Sequence, residues 1–163
     1  MAKRKQIRRK VPVVIEIRDS HEIEGELHSS EILCDGVLSE LPGEAGGGWQ
    51  LDYVEQSEGL EGSRAALRVQ NRLVSLSRTG DYPLEITLEQ GVRHSCYYNT
   101  PDGLMQLGVF ARAVESDLSH AGGRIKLAYT LDFYADLMSS NQMEIKVLPT
   151  GMPTGIFGAI PSE

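Results

Sequence analysis

The chain has 163 residues, of which 40% are hydrophobic, 24% charged and 6% aromatic, a length and composition typical of one globular domain. No run approaches the roughly 20 consecutive apolar residues of a membrane-spanning helix, and the apolar segment after the basic start is too short for a secretory signal. Cys34 and Cys96 lie far apart in the sequence, which argues against a CxxC redox motif and a thiolate zinc site. We expect reduced thiols in a cytoplasmic protein without a membrane partner.

The net charge of -7 combines two unlike parts of the chain. Residues 1–10 hold six basic residues and no acid, whereas the remaining chain has 10 basic residues against 23 acidic ones, a balance of -13. This acidic body argues against a general nucleic-acid-binding surface. We predict that residues 1–10 form a basic flexible tail, through which a weak, salt-dependent contact with nucleic acid or the ribosome would have to be made.

From Val11 onward apolar residues recur at every second position, which is typical of strands with one buried and one solvated face. The alternation is clearest in residues 11–18, 84–89, 105–113, 125–133 and 143–147, and weaker in residues 24–38, 49–56, 64–70, 73–78 and 92–98. No segment has a convincing 3.6-residue apolar period, although residues 132–140 are compatible with a short helical or irregular excursion. We therefore predict an all-β protein, a closed or nearly closed antiparallel up-and-down barrel of about eight to nine strands, with a sandwich as the alternative.

The last part of the chain breaks this pattern. Residues 149–163 contain three prolines and three glycines, together with the apolar side chains of Ile156, Phe157 and Ile160. We predict a barrel domain over residues 11–148 followed by a Pro/Gly-rich tail. The tail is expected to be disordered, to fold over a barrel end or to contact a neighbouring molecule.

Several segments carry a resemblance to a known family. Residues 98–109 lead into a long strand that is followed by a glycine turn and residues 123–131, while residues 76–80 end a strand in an arginine and a glycine. With residues 141–147 as the last strand, the chain resembles the YwiB-like family of small bacterial barrel proteins, a calycin-like domain of unknown function (1934). The resemblance implies a lipocalin-like barrel, an architecture that either fills its interior with side chains or holds one small ligand.

Four side chains are candidates for ligand binding, because a ligand cavity needs a mostly apolar wall with a few convergent polar groups. They are Arg78, His94, Tyr98 and Tyr129. The planar guanidinium of Arg78 would pair with a carboxylate or phosphate, and Tyr129 would add wall area while its hydroxyl seeks a partner. The alternatives are a salt bridge for Arg78, an exposed strand position for His94 and ordinary core packing for the tyrosines.

No motif indicates catalysis, a cofactor or a metal. His21 and His28 form the one cluster with metal-capable side chains, and their odd spacing along a strand predicts opposite faces. No nucleophile elbow, P-loop or dinucleotide fingerprint is present. Cys96 lies two residues from His94, which permits proximity, but we interpret this thiol as inert.

These observations favour a non-enzymatic barrel that binds a small, partly apolar or anionic molecule inside the barrel or at its mouth. Three alternatives stay open. The first is a protein-interaction or homodimeric module that uses a barrel face or the C-terminal tail, the second a nucleic-acid- or ribosome-associated protein acting through residues 1–10, and the third an enzyme whose site is assembled from distant strands.

Overall fold

The computed structural model describes residues 10–42, 47–56, 61–81, 83–134 and 136–150, which form an antiparallel barrel. Its strands are β1 (Lys10–Ile23), β2 (Glu26–Leu41), β3 (Gly48–Val54), β4 (Arg64–Gln70), β5 (Leu73–Arg78), β6 (Leu84–Glu89), β7 (Arg93–Thr100), β8 (Gly103–Ser116), β9 (Gly123–Phe133) and β10 (Asp136–Pro149). Each strand pairs with its neighbour in the chain, and β1 pairs with β10 to close the barrel. The predicted closed up-and-down barrel is confirmed, with ten strands.

The barrel has two distinct ends. We call the end with the β1–β2, β3–β4, β5–β6, β7–β8 and β9–β10 connections the mouth, and the opposite end the base. The chain enters β1 and leaves β10 at the base, where the backbone N–H of Thr150 donates a hydrogen bond to the carbonyl of Pro12 at 2.9 Å. Residues 1–9 and 151–163, which make up most of the two predicted tails, lie outside the described residues, as does part of the glycine loop at 43–46.

The centre of the barrel is filled by aliphatic side chains. Alternation along β1 buries Val13, Ile15 and Ile17 and turns Glu16 and Arg18 outward, as the sequence pattern predicts. Cross-strand partners face the same side of a sheet, so one layer of the interior can be followed from strand to strand: Leu38, Leu51, Leu67, Leu76 and Ile86. This apolar layer lies between the base and the mouth. The polar side chains of the candidate site lie on its mouth side.

The ladder between β6 and β7 is the exception to regular pairing. In the described residues these strands share one ladder pair, Leu84 with Tyr98, and a single bridge joins Glu89 to Val92 at the turn. Between those two points residues 85–88 face residues 93–97, one residue more on β7 than on β6. This mismatch of one residue interrupts the regular ladder between the two strands, and we call the interrupted stretch the seam.

The connection between β9 and β10 differs from the sequence-based expectation. Of the two alternatives predicted for residues 132–140, the helical one is wrong, because β9 runs to Phe133 and β10 begins at Asp136, and the irregular one is confirmed as a turn followed by a register shift. Tyr134 takes a left-handed conformation with φ of 53° at this reversal, and the register shifts between Leu137 and Ser139. Nowhere in the described part of the chain is there a helix of the length and apolarity needed to cross a membrane.

Candidate functional site

Two of the four sequence-predicted ligand-binding residues lie in one layer of the mouth. Arg78 is the last residue of β5 and pairs with Ala65 on β4 and Leu84 on β6. Leu84 in turn pairs with Tyr98 on β7. Arg78 and Tyr98 therefore share the interior face two strands apart, about 10 Å between backbones.

Arg78 is a buried cation with an acid nearby. Its exposed fraction is only 9%. Burial raises the pKa of the Glu55 carboxyl, and the positive charge of Arg78 acts in the opposite direction on that pKa. Glu55 follows β3, and its backbone N–H donates a hydrogen bond to the carbonyl of Ser63 at 2.7 Å. A buried charge is costly unless an opposite charge or hydrogen bonds compensate it. Arg78 and Glu55 therefore form a polar part of the mouth, and a change in the charge of one of them affects the other.

Tyr53 and Cys34 complete this side of the mouth. Tyr53 pairs with Ala65, which places it on the other side of Ala65 from Arg78. Burial raises the pKa of the Tyr53 hydroxyl, with a further increase from the negative charge of Glu55. Burial likewise raises the pKa of the Cys34 thiol, again with a contribution from Glu55. Sequence reasoning missed these residues, although the alternation of Leu51, Tyr53 and Glu55 places all three on one face.

A cleft of about 820 Å³ opens at the seam between β6 and β7. Its walls are Ser75, Ser77, Arg78, Pro83, Leu84, Glu85, Thr87, Ser95, Cys96, Tyr97 and Leu104. Arg78, Leu84 and Cys96 belong to the interior face and are buried, so they form its inner part, while the hydroxyl-bearing side chains come from the outer face of the strands. The volume falls within the range of about 300–1,000 Å³ that is typical of small-molecule sites.

His94 bridges the seam instead of lining the cleft. It faces the interior opposite Val109, and its Nε2 lies 2.9 Å from Oε1 of Glu89 on β6. This contact links β6 and β7 by side chains near the turn. Both partners are partly exposed, so the pair contributes about 1 kcal/mol or less to stability.

Tyr129 lies four strands from β5, away from Arg78. It pairs with Asn141 on β10 and Ala111 on β8, and Nδ2 of Asn141 donates a hydrogen bond to its backbone carbonyl at 3.4 Å. Burial raises the pKa of the Tyr129 hydroxyl to about 12, with a smaller contribution from Asp19. The structure therefore separates Tyr129 and His94 from the pair formed by Arg78 and Tyr98.

The Tyr129 hydroxyl predicts a loss of stability at alkaline pH. Its pKa rises from an ordinary value of 10.0 to about 12, so the folded state holds this proton more tightly than the unfolded chain does. The associated stability is fully present below pH 10 and is lost as pH rises through 12, by roughly 3 kcal/mol in total. Urea unfolding of the wild type and of Tyr129→Phe should show a smaller decline over this range in the variant. Parallel declines in both proteins would contradict the assignment.

The two histidines at the tip of the β1–β2 hairpin lie on one face, so the prediction of opposite faces is wrong. His21 on β1 and His28 on β2 are direct cross-strand partners, and their rings stack at 5.3 Å. The turn at Glu24 and Gly25, both with positive φ, reverses the chain between them. Within the described ranges, no three or more His, Cys, Asp or Glu side chains are grouped so that they could hold a metal ion.

A second large groove, of about 780 Å³, lies on the outer face of β2, β1, β10, β9 and β8. One side is a ladder of cross-strand partners that alternate in charge: Glu31, Arg18, Glu144, Lys126 and Glu115. Nε of Arg18 lies 2.6 Å from Oε2 of Glu31, and Nη1 of Arg124 lies 3.5 Å from Oε2 of Glu144. Because opposite charges already adjoin one another here, we regard the mouth and its cleft as the better candidate for an anion.

Comparisons with known proteins agree with the barrel and give no activity. A family model described as "Domain of unknown function (DUF1934)" matches residues 15–145. The crystal structure of the YwiB protein from Bacillus subtilis is similar over 86% of this chain and 92% of that chain, with a TM-score of 0.75 and 19% sequence identity. At this identity the likeness shows the fold alone. No curated protein matches the chain.

Proposed function

Because the chain belongs to the family described as a domain of unknown function (DUF1934), whose description names no activity, we propose a function from the site itself. We propose that the protein is a non-enzymatic binder of a small, partly apolar anion. The anionic group lies beside Arg78, and the apolar part lies in the cleft between β6 and β7. As part of this proposal we place the protein in the cytoplasm, because both of its cysteines are free thiols.

The observation that carries this proposal is that a buried arginine, Arg78, is one of the residues that line an open cleft. Arg78 is 9% exposed and yet lines the cleft of about 820 Å³. A guanidinium presents its N–H donors in a planar fork that matches a carboxylate or a phosphate, and the interaction is stronger where water is partly excluded. We propose that an anion entering through the seam adds to the contacts that Arg78 already makes.

The walls of the cleft suit a ligand with an apolar part. Leu84 is buried beside Arg78, and Leu104 and Tyr97 stand at the outer edge. The layer that contains Leu51 fills the barrel centre, so the proposed ligand occupies the wall and the mouth instead of a deep central cavity. This position differs from the lipocalin-like interior site that the family resemblance allows.

Glu55 makes the proposed binding dependent on pH. Burial already raises the pKa of this carboxyl, and the charge of Arg78 opposes that increase. A bound anion beside Arg78 would offset the guanidinium charge and raise the pKa of Glu55 further. Binding is therefore expected to take up protons, and affinity is expected to increase as pH falls towards the titration range of Glu55.

The proposal predicts that removing the Arg78 charge weakens anion binding tenfold or more, since a hydrogen-bonded charge contributes about 1.5–3 kcal/mol. We would measure octanoate and inorganic phosphate binding by isothermal titration calorimetry on the wild type and on Arg78→Met. The matched control is Arg72→Met, because Arg72 is exposed at the β4–β5 turn. The expected result is tighter binding of octanoate than of phosphate, and equal affinities for the wild type and the control.

Two results would contradict the proposed function. One is wild-type protein that binds neither anion at millimolar concentration. The other is equal affinity in Arg78→Met and the wild type, which would place the anion elsewhere on the surface.

A further inference from the structure

The outer face of the barrel near the mouth carries a group of exposed apolar side chains on β7, β8 and the β9–β10 hairpin. They are Tyr97, Leu104, Tyr134 and Leu137, with exposed fractions of 59%, 66%, 79% and 66%. We call these four residues the mouth patch. Single exposed apolar side chains are common on protein surfaces, whereas a contiguous set of them marks an interaction surface.

The four residues are contiguous through the sheet register. Tyr97 pairs with Gln106, and Gln106 and Tyr134 line the same shallow pocket of about 420 Å³. Leu104 lies on the same hairpin as Tyr97, and both line the cleft between β6 and β7. Leu137 pairs with Asp132, two residues before Tyr134. The mouth patch therefore spans four neighbouring strands.

Tyr134 contacts its chain neighbour at the reversal between β9 and β10. Its ring packs edge-to-face on Phe133, with ring centroids 4.5 Å apart, and its backbone has a φ of 53°. Beside it, Arg93 crosses over Gly108, which has no side chain, and its Nε lies 3.3 Å from Oδ2 of Asp132. A tyrosine side chain has two χ angles and loses little conformational entropy on binding, and tyrosine is enriched among residues that dominate an interface.

We propose that the mouth patch is the interface of a homodimer, with a second copy of this chain as its occupant. A two-fold interface places the same patch on both sides, so the apolar side chains of one copy meet those of the other. The proposal does not depend on ligand binding at Arg78. Because Tyr97 and Leu104 stand at the edge of the cleft, a second copy would also narrow access to it.

The exposed area of the mouth patch is large enough for the apolar centre of such an interface, which also needs a surrounding rim. With about 200 Å² for a fully exposed side chain of this size, the mouth patch exposes roughly 500 Å² of mostly apolar surface. A standard interface buries about 800 Å² on each partner, with an apolar centre and a polar rim. The patch supplies such a centre, and Gln106, Ser95 and the Arg93–Asp132 pair supply polar groups around it.

The mouth patch is less negatively charged than the rest of the barrel surface, which makes it the more favourable face for self-association. Beyond residue 10 the chain has 10 basic and 23 acidic residues, so two bodies repel each other over most of their surface. Within the mouth patch the four side chains are uncharged, and Arg93 and Asp132 balance each other. Exposed acids adjoin the patch along the chain, since Asp136 directly precedes Leu137 and Asp102 stands two residues before Leu104. Added salt is therefore expected to strengthen the dimer by screening their repulsion, whereas salt would weaken contacts made through residues 1–10.

Sedimentation velocity on the full chain over micromolar concentrations tests the proposal. The wild type is expected to shift from a species of 17.9 kDa to one of twice that mass, with a tighter dimer at higher salt. The double substitution Tyr134→Asn and Leu137→Ser is expected to weaken the dimer at least tenfold, and asparagine suits the positive φ at 134. Leu33→Ser is the matched control, because Leu33 is 69% exposed on the outer face of β2, away from the patch.

A second variant keeps the test valid even if the double substitution impairs folding. Gln106→Glu places a negative charge in the mouth patch of both copies, adds to the repulsion between the acidic bodies, and is expected to prevent association while the melting temperature stays unchanged. The proposal is overturned by a wild type that stays monomeric throughout. It is also overturned if Leu33→Ser weakens the dimer as much as the patch variants do, or if added salt dissociates it.

Discussion

Replacing Leu51 with alanine is expected to lower the free energy of unfolding by about 3–5 kcal/mol. Leu51 has an exposed fraction of 0%, and its cross-strand partners Leu38 and Leu67 are buried with it. Truncation removes apolar contacts and leaves a cavity that the surrounding strands of a closed barrel cannot collapse to fill. Urea denaturation monitored by tryptophan fluorescence would measure the change.

The Leu51 variant also distinguishes a packed barrel centre from an open one. Leu33→Ala is the control, because Leu33 is 69% exposed on the outer face, and a loss below about 0.5 kcal/mol is expected there. A loss below about 1 kcal/mol for Leu51→Ala would contradict the packed centre. Such a result would indicate an unfilled centre and make the barrel interior the candidate location of the ligand.

Replacing Gly122 with alanine is expected to destabilise the protein by about 3 kcal/mol. Gly122 has φ of +96°, and a Cβ there would overlap the backbone carbonyl of Val147. Its own N–H and carbonyl are bonded to the backbone of Ser119 at 2.9 Å, which prevents the turn from moving away. The substitution therefore adds a steric clash to the backbone strain of a positive φ.

Gly25→Ala separates these two contributions. Gly25 has φ of +83° at the β1–β2 turn, and nothing lies within 4 Å of the position that a Cβ would take. Only strain is expected there, about 1 kcal/mol. Thermal and urea unfolding of both variants would give the difference, and an equal loss in the two would show that the contact with Val147 does not restrict the base of the barrel.

The barrel was predictable from sequence because burial alternates along individual strands. The alternation of Val13, Ile15 and Ile17 predicts the inward face of β1, and this prediction needs no information about the neighbouring strands. A series of such strands with short connections favours a closed antiparallel barrel. Reversals were less predictable. The odd spacing of His21 and His28 predicts opposite faces only if both lie on one strand, whereas the Glu24–Gly25 turn lies between them and makes them cross-strand partners.

The candidate site depends on register, which the sequence does not encode locally. Arg78 and Tyr98 meet in one layer only because β5, β6 and β7 pair as they do, and the register shift between Ala111 and Ala113 sets the level of Tyr129. The effect of Arg78 on Glu55 depends on the pairing across β3, β4 and β5. Chemistry-bearing residue types can therefore be selected from the sequence, whereas their convergence requires the closed barrel.

The most direct test of the account is the nuclear magnetic resonance signal of the Arg78 side chain itself. In protein labelled with ¹⁵N-arginine, the Nε–H signal that disappears in Arg78→Met belongs to Arg78. Titration with octanoate is expected to shift this signal saturably, with the dissociation constant found by calorimetry, while the signal of exposed Arg72 stays in place. An Arg78 signal that does not move when octanoate is bound, or equal shifts at both arginines, would contradict anion binding in the mouth.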